Sequence, residues 1–361
     1  MAITNLSNLV EAEAWASYVN ERSIWENGLI ASTAIVRNPL MEQQLNSNIG
    51  GRVLHAAVRR APTTTGDQAT TEGTTKGTAQ NARQSEEAFI RNTRSITTGH
   101  SDLTSILSFE GSRIDELNDH STRWSQVINN YALSVLAGVM HHNADDSSNT
   151  VMIYDVAGAS GDAGRLTATN FNLALGTIGA RQWRPGQAVR GTLVVRPEVV
   201  PVLTNQNLSQ AFEPSTQTMV ETYRGFMIAE DDTLPMDDDV IRGGGTNGGT
   251  RGAAGASGMF SSYILGTGAI EIGFGRHPNP VAAVREELEG TSGGVEYLIT
   301  RQMFGIRIPG FEQVVTSPAV GGLEAGARDG STAGSYADPT TYDWKGTRRK
   351  QVPIVQINTV L

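Results

Sequence analysis

Four groups of residues have the right types to do chemistry, and their spacing decides what each can be. His141-His142 with Asp145-Asp146 offers metal ligands. Adjacent positions on a helix point ~100° apart, so both rings cannot face one ion, and the useful spacing is i, i+4. Histidine at a helix C-terminus also suits the dipole, which makes a structural role the expectation. Asp231-Asp232 and Asp237-Asp238-Asp239 cluster the oxygens that hard cations prefer, but without the spacing of a calcium loop. A solvated loop is expected there, with a weak Ca²⁺ or Mg²⁺ site as the alternative. Gly243, Gly245 and Gly248 match a dinucleotide fingerprint, which works only between a strand and a helix. Here it sits in a glycine tract with no helical pattern after it, so a flexible loop is expected. There is no phosphate-binding loop, no nucleophile elbow and no cysteine, which excludes disulfides, thiolate metal sites and cysteine nucleophiles. No catalytic residue, metal or cofactor is expected, and the chain is not read as an enzyme. The glycine loop and acidic runs leave a nucleotide-binding or hydrolytic enzyme as the minor alternative.

The basic residues say more. The 361 residues carry 28 basic and 37 acidic side chains, net −9, and charged residues are 18% against the ~25% of ordinary domains. A chain this acidic lacks the field that draws proteins onto nucleic acid or anionic lipid. Glycine is abundant, at 40 residues, and together with low charge this points to long loops or to surface covered by partners. Only Lys76, Lys345 and Lys350 are lysines. Arginine's planar fork suits fixed carboxylate pairing, where lysine prefers hydration. Arg52, Arg59, Arg60, Arg83, Arg91 and Arg94 belong to one segment, so a basic projection docking on acidic faces of identical neighbours is expected, ordinary surface arginines being the alternative.

The elements that must position these residues follow in order. Residues to about Leu45 read as an arm with Trp15, Tyr18 and Trp25, which pack on this chain or on a neighbour because aromatics are costly to leave in water. Asn38-Pro39 should break any continuation of a helix from the arm. Arg52 to Arg60 can run as a strand with Val53, His55 and Ala57 on one face, and Ser85 to Ile96 can return as its partner around a tip of Thr, Gly, Ala and Gln. A hairpin this long is marginal alone and needs a surface to lie on. Ile114, Leu117, Ser121, Trp124, Ile128, Tyr131 and Val135 recur at steps of three and four, which predicts a long amphipathic helix ending near Gly138 to Asn143. A helix over Thr167 to Ala180, a buried strand over Gly191 to Arg196 and a short helix from Pro197 follow. Tyr223 to Ala229, Ser262 to Gly275, Val295 to Ile308 and Val352 to Ile357 read as strands. The first residues lack a basic and an apolar region, so no secretory signal is expected. The longest apolar stretch, Tyr131 to Met140, is half what a bilayer requires, and no membrane contact is expected.

This order of parts resembles the major capsid proteins of tailed bacteriophages, which have the HK97 fold. Trp124 to Gly138 looks like the family's long helix, and Leu193 to Leu203 looks like a strand and helix of its axial lobe. Tyr223-Arg224-Gly225 with Asp231-Asp232 resembles a strand-to-loop motif there. Leu265 to Gly275, Glu286-Glu287, Tyr297 to Phe304 and Pro309-Gly310-Phe311 resemble the closing segments, and Trp344 with Pro353-Ile354-Val355 looks like the tail of one subgroup. The chain departs from the family at Arg307-Ile308-Pro309, where a histidine is expected before Pro-Gly.

The resemblance implies an α+β fold with these parts: an N-terminal arm (1–48), an extended β-hairpin or E-loop (49–98) and the spine helix of a peripheral domain (99–147). A mainly axial domain (148–276) with a glycine-rich loop at 242–258, return strands of the peripheral domain (277–312) and a C-terminal extension (313–361) complete it. It further implies self-assembly into hexamers and pentamers of an icosahedral head in the virion, built in the host cytoplasm. A separate scaffolding protein, a portal and weakly contacted double-stranded DNA are the implied partners. Trp15, Tyr18, Trp25, Arg52, Arg59, Arg60, Lys76, Arg83, Arg91, Arg94 and Trp344 are the implied subunit-interface residues. Lys76 sits where cross-linked members carry a reactive lysine, but no pairing motif accompanies it. An encapsulin-like compartment with protein cargo shares the fold and stays open as the rival.

Overall fold

Two sheets organise the chain, and one long helix ties them together. The structure, a computed structural model, describes residues 29, 32–47, 51–59, 84–101, 112–145, 150–157, 161–178, 190–204, 209–213, 218–231, 234–235, 258–287, 294–315, 318–319, 321–326, 330–346 and 352–360. Strand β1 (Ile35–Arg37) leads directly into helix α1 (Pro39–Asn46). Asn38-Pro39 separates the two elements and starts the helix. The Asn38 side chain accepts the Leu40 N–H at 2.9 Å, and proline occupies the first turn, where its missing N–H costs nothing.

Strands β2 (Val53–Arg59) and β3 (Gln84–Ile90) form the expected hairpin, in register from Val53 opposite Ile90 to Arg59 opposite Gln84. Its outward face carries His55 and Ala57, while Leu54 and Ala56 turn inward. The expected single return strand is two strands. After Arg91 the chain leaves β2 and continues as β4 (Asn92–Ser101), which belongs to a different sheet. The last tie to the β2 side is the Arg91 N–H, which goes to the Arg52 carbonyl at 2.8 Å; the chain then turns away because the buried Asn92 side chain is held by Tyr336 and Leu323.

Helix α2 (Ser112–Asp145) has 34 residues and runs slightly past its expected end. Trp124, Ile128, Tyr131 and Val135 are buried as their spacing predicts, and burial is continuous from Tyr131 to His141. Gly138 does not end the helix. It lets the Tyr336 carbonyl and the Tyr342 ring approach the backbone, where any Cβ would collide with both.

The second half alternates as expected. Strand β5 (Ile153–Asp155) precedes helix α3 (Ala168–Ile178), whose start is capped by Thr167 Oγ1 accepting the Asn170 N–H at 3.2 Å. Strand β6 (Gly191–Val195) is buried throughout, and a turn at Pro197 opens helix α4 (Val200–Thr204). Strands β7 (Ser209–Glu213), β8 (Thr218–Tyr223) and β9 (Phe226–Glu230) follow. Tyr223 ends one strand and does not begin another, because Arg224 and Gly225 take φ of +53° and +83° and form the two-residue turn of a hairpin.

The apolar run over 262–275 also divides. Strand β10 (Met259–Gly266) lies in one sheet and β11 (Ile270–Gly275) in the other, with Gly268 at φ +69° between them. Strands β12 (Val281–Glu286), β13 (Val295–Arg307), β14 (Phe311–Gln313), β15 (Tyr342–Trp344) and β16 (Ile354–Val360) complete the chain.

The five-stranded sheet is built on β13. Strand β4 lines one of its edges, β11 and β12 share the other, and β1 extends β11 in parallel. The seven-stranded sheet has the order β5-β16-β10-β6-β9-β8-β7. The carboxyl-terminal strand is thus an inner member of this sheet, paired with β10 from Met259↔Val360 to Leu265↔Ile354. The main core joins α2 to both sheets through Trp124, Phe304, Ile270, Tyr263 and Ile354, while α3 covers the other face of the seven-stranded sheet with Phe171 and Ile178. Among the described residues no helix is long and apolar enough to cross a membrane.

Candidate functional site

Where the hairpin meets the body, side chains from six elements pack and bond: α1, β2, β3, β11, β13 and β14. Leu54, Ala56 and Phe89 pack on Met41 and Leu45 of α1. The Phe89 ring lies against Gly305 of β13, where a Cβ would come within 2.8 Å of it. Glu87 shares the inward face with Phe89 and is fully buried. Its carboxylate accepts from Arg307 Nη1 at 3.0 Å and from the Gly310 N–H at 3.1 Å. Arg307 also donates from Nη2 and Nε to Glu271 Oε2, at 2.6 and 2.8 Å, and Asn38 Nδ2 donates to that same oxygen at 2.8 Å. One guanidinium therefore joins β3, β11 and β13. Such charge-assisted, multiply bonded groups tolerate burial where a single charge would not. Gln313 adds a neutral tie by accepting the Ile90 N–H and donating to the Ile306 carbonyl, both at 2.8 Å.

The segment from Pro318 to Trp344 closes over β4 and α2. Asn92 donates to the Tyr336 hydroxyl at 2.8 Å and accepts the Leu323 N–H at 3.0 Å. The Tyr342 hydroxyl donates to the Tyr336 carbonyl at 2.7 Å. Tyr131 stands edge-on to Phe304 and Tyr336 at 5.2 and 5.7 Å. Burial pushes the Tyr131 phenol up to about 12, and it raises those of Tyr336 and Tyr342 as well. Asp338 caps the turn before β15. Burial opposes its ionisation, but hydrogen bonds from Thr340 and the Gly334 N–H hold its carboxyl below the usual range. Lys345 lies between Asp343, 2.7 Å away, and Glu312, 3.3 Å away, and these hydrogen bonds raise its ammonium.

At the other end of the sheet, His120 bridges two strands. Its Nε2 lies 2.8 Å from Thr98 Oγ1 on β4, and its Nδ1 lies 2.8 Å from Thr300 Oγ1 on β13. Trp124 Nε1 donates to the same Thr300 hydroxyl at 2.9 Å. Burial and then Arg123 lower the imidazole's affinity for a proton, against a smaller opposing pull from Asp119.

The residues expected at subunit interfaces fall into three groups. Trp15, Tyr18, Trp25, Arg60, Lys76 and Arg83 lie outside the described residues, as does the glycine tract with Gly243, Gly245 and Gly248. Of Arg59 only the backbone is described, at the end of β2. Arg52, Arg94, Arg91 and Trp344 sit on the body. Arg52 Nη1 donates to the Pro318 carbonyl at 2.5 Å. Arg94 pairs with Glu324 at 2.6 Å, donates to the Leu323 carbonyl and lies 5.6 Å from the Tyr131 ring centre. Arg91 is half-buried where β3 gives way to β4, and Trp344 meets Phe311 in a tilted ring contact at 4.9 Å.

The histidine pair diverges. His141 is buried against Gly330, and His142 meets Phe311 edge-on at 6.0 Å. Asp231 accepts from Asn129 at 2.6 Å, while Asp232 and Asp237 to Asp239 lie outside the described residues. Among the described residues no three imidazole or carboxylate groups gather as cation ligands. Sequence reasoning missed Glu87, Arg307, Glu271, Asn92 and His120. Two signals were present: Glu87 alternates into register with Phe89, and Arg307 interrupts the apolar run from Phe304 to Ile308.

Neither a protein-family model nor a curated protein sequence matches the chain. Solved structures do. The capsid of Ralstonia phage GP4 is similar at 10% identity, over 91% of this chain and 87% of that one, with a TM-score of 0.55. The capsid of cyanophage Pam1 is similar at 9% identity, over 87% and 86%, with a TM-score of 0.46. The GP4 likeness defines the class: this chain has the HK97-like fold of tailed-phage capsids.

Proposed function

We propose that this chain is a non-enzymatic shell subunit of a tailed-phage head, which self-assembles into hexamers and pentamers around double-stranded DNA. The observation that carries this reading is the capsid fold extending over 91% of the chain. The hairpin root supports it, because a projection tied to its own body by Glu87, Arg307 and Phe89 can reach across a neighbour in a defined direction. Arg52 and Arg94 bond within the subunit, so Arg59, Arg60, Lys76 and Arg83 are the hairpin cations proposed to meet a neighbour's carboxylates. Trp15, Tyr18 and Trp25 of the arm are proposed to bury against neighbours too, with Arg91 and Trp344 at the edge of the same contact. The net charge of −9 suits a wall past which packaged DNA slides without tight binding. A separate scaffolding protein and a portal complete the proposed partners. The virion is the proposed location, with assembly in the host cytoplasm.

Electron microscopy of the full chain, expressed with and without co-expressed scaffold, tests this. Closed shells are expected, and deletion of Thr63 to Gln80 should leave a folded subunit that assembles poorly. A monomer under every condition would overturn the reading, and shells holding only a protein cargo would replace the phage head with an encapsulin-like compartment.

A further inference from the structure

The contact between α2 and the five-stranded sheet contains one titratable group whose neutral form the surrounding hydrogen bonds favour. His120 is fully buried, and both ring nitrogens meet threonine hydroxyls on different strands. The Thr300 hydroxyl has a single hydrogen. Its oxygen accepts the Trp124 Nε1–H, and among the described residues His120 Nδ1 is the acceptor its own hydrogen meets, so the neutral arrangement that satisfies every group has Nε2–H donating to Thr98. The arrangement favours the neutral imidazole, because a cation there would be buried between two neutral hydroxyls and would leave the Thr300 hydrogen without an acceptor. A second ring proton would face the Thr300 hydrogen head-on and force that hydroxyl to turn, with Trp124 bonded to the same oxygen. The charged neighbours offer no rescue among the described residues. On α2, Asp119 favours the cation and Arg123 opposes it; β4 brings Thr98, and β13 brings Thr300, with Glu296 four residues further along the same face.

We propose that His120 makes the seam between α2 and the five-stranded sheet an acid-sensitive latch, closed when the imidazole is neutral and loosened when it is protonated. The lowered proton affinity agrees in sign. A histidine harder to protonate when folded leaves stability intact above the ordinary value near 6.5. Stability falls as pH drops from there through the folded midpoint, and no further below it. The loss should be local to α2, β4 and β13, since the ring's hydrogen bonds go to those two strands. The inference stands on the seam alone and does not depend on shell assembly.

The test uses the full chain, with amide exchange measured at pH 7 and pH 5 and corrected for intrinsic rates. Opening around residues 119–127 and along β4 should rise by up to about tenfold per pH unit across the titration window, one proton's worth, while α3 stays unchanged. The His120 imidazole, followed by NMR, should titrate below the ordinary histidine value. His120→Gln can bridge the same two hydroxyls without titrating and should remove the acid response. A normal or raised midpoint, equal opening of α3, or an undiminished acid response in the glutamine variant would each overturn the latch. Should that variant not fold, the imidazole titration and the wild-type exchange decide alone.

Discussion

Arg307 and Glu87 stand 220 residues apart in the chain and meet as a buried ion pair, Nη1 to Oε2 at 3.0 Å. The pair sets where the hairpin leaves the body. Arg307 is anchored on its other side to Glu271, so the guanidinium cannot follow Glu87 if β3 swings away. The base of the hairpin is thus tied to β11 and β13 by side chains of this one chain.

Removing one partner of this pair should be costly. Glu87→Ala leaves Arg307 with an empty side and the Gly310 N–H without its acceptor, and a loss of about 3–5 kcal/mol is expected. Glu87→Gln should cost less, because the amide oxygen still accepts and Arg307 keeps Glu271. Urea unfolding of the full chain, compared at constant slope, measures both. Equal midpoints for wild type and the alanine variant would mean the pair does not hold the root.

Two helical glycines should respond to alanine with opposite signs. Gly176 on α3 has nothing within 4 Å of where a Cβ would stand, so Gly176→Ala should stabilise by about 0.5–1 kcal/mol through helix propensity alone. Gly138 on α2 faces the Tyr336 carbonyl and the Tyr342 ring, so Gly138→Ala should destabilise by about 1–3 kcal/mol despite the same propensity gain. Thermal unfolding of the two variants side by side provides the check. A stabilised Gly138 variant would mean that the closing segment yields easily.

Local patterns were legible, and long-range choices were not. Helix α2 was readable because Trp124, Ile128, Tyr131 and Val135 share one face whatever covers it. The same holds for α3, with its Thr167 cap, and for β6. The split of the return strand at Arg91 depends on Asn92 meeting Tyr336, 244 residues away, and no window around Arg91 contains that information. The tail was expected as an extension, yet β16 pairs with β10; a Val/Ile strand does not say which edge it will join. At the root, Glu87 and Arg307 are buried as a pair, and each owes its place to a partner 220 residues away that no local window contains.

Alkaline pH should loosen the tyrosine cluster. A phenol ionises near 10 in the unfolded chain, while Tyr131 is pushed up to about 12 and Tyr336 and Tyr342 are raised too. The folded state holds these protons longer, so its stability is intact below pH 10 and falls as pH rises through the window from 10 to about 12. Tyr131→Phe keeps the ring contacts with Phe304 and Tyr336 and removes one ionising group. Its unfolding equilibrium should depend on alkaline pH less steeply, by about tenfold per pH unit for the one proton lost. Phenolate absorbance during unfolding at fixed pH reports both quantities, and an unchanged slope would place Tyr131 in contact with water.

The closing segment depends on Asn92, whose two hydrogen bonds reach Leu323 and Tyr336 from the first residue of β4. Asn92→Ala would leave a buried N–H without an acceptor and a buried hydroxyl without its donor, at about 1–3 kcal/mol for each. Tyr336→Phe loses only the second bond and keeps the ring against Tyr131, so its effect should be the smaller. Limited proteolysis between Pro318 and Trp344 reads the difference directly. Cleavage should be fastest in the Asn92 variant, intermediate in the Tyr336 variant and slowest in wild type. Cleavage at one common rate would show that the aromatic contacts of Tyr131, Tyr336 and Tyr342 hold the segment without Asn92.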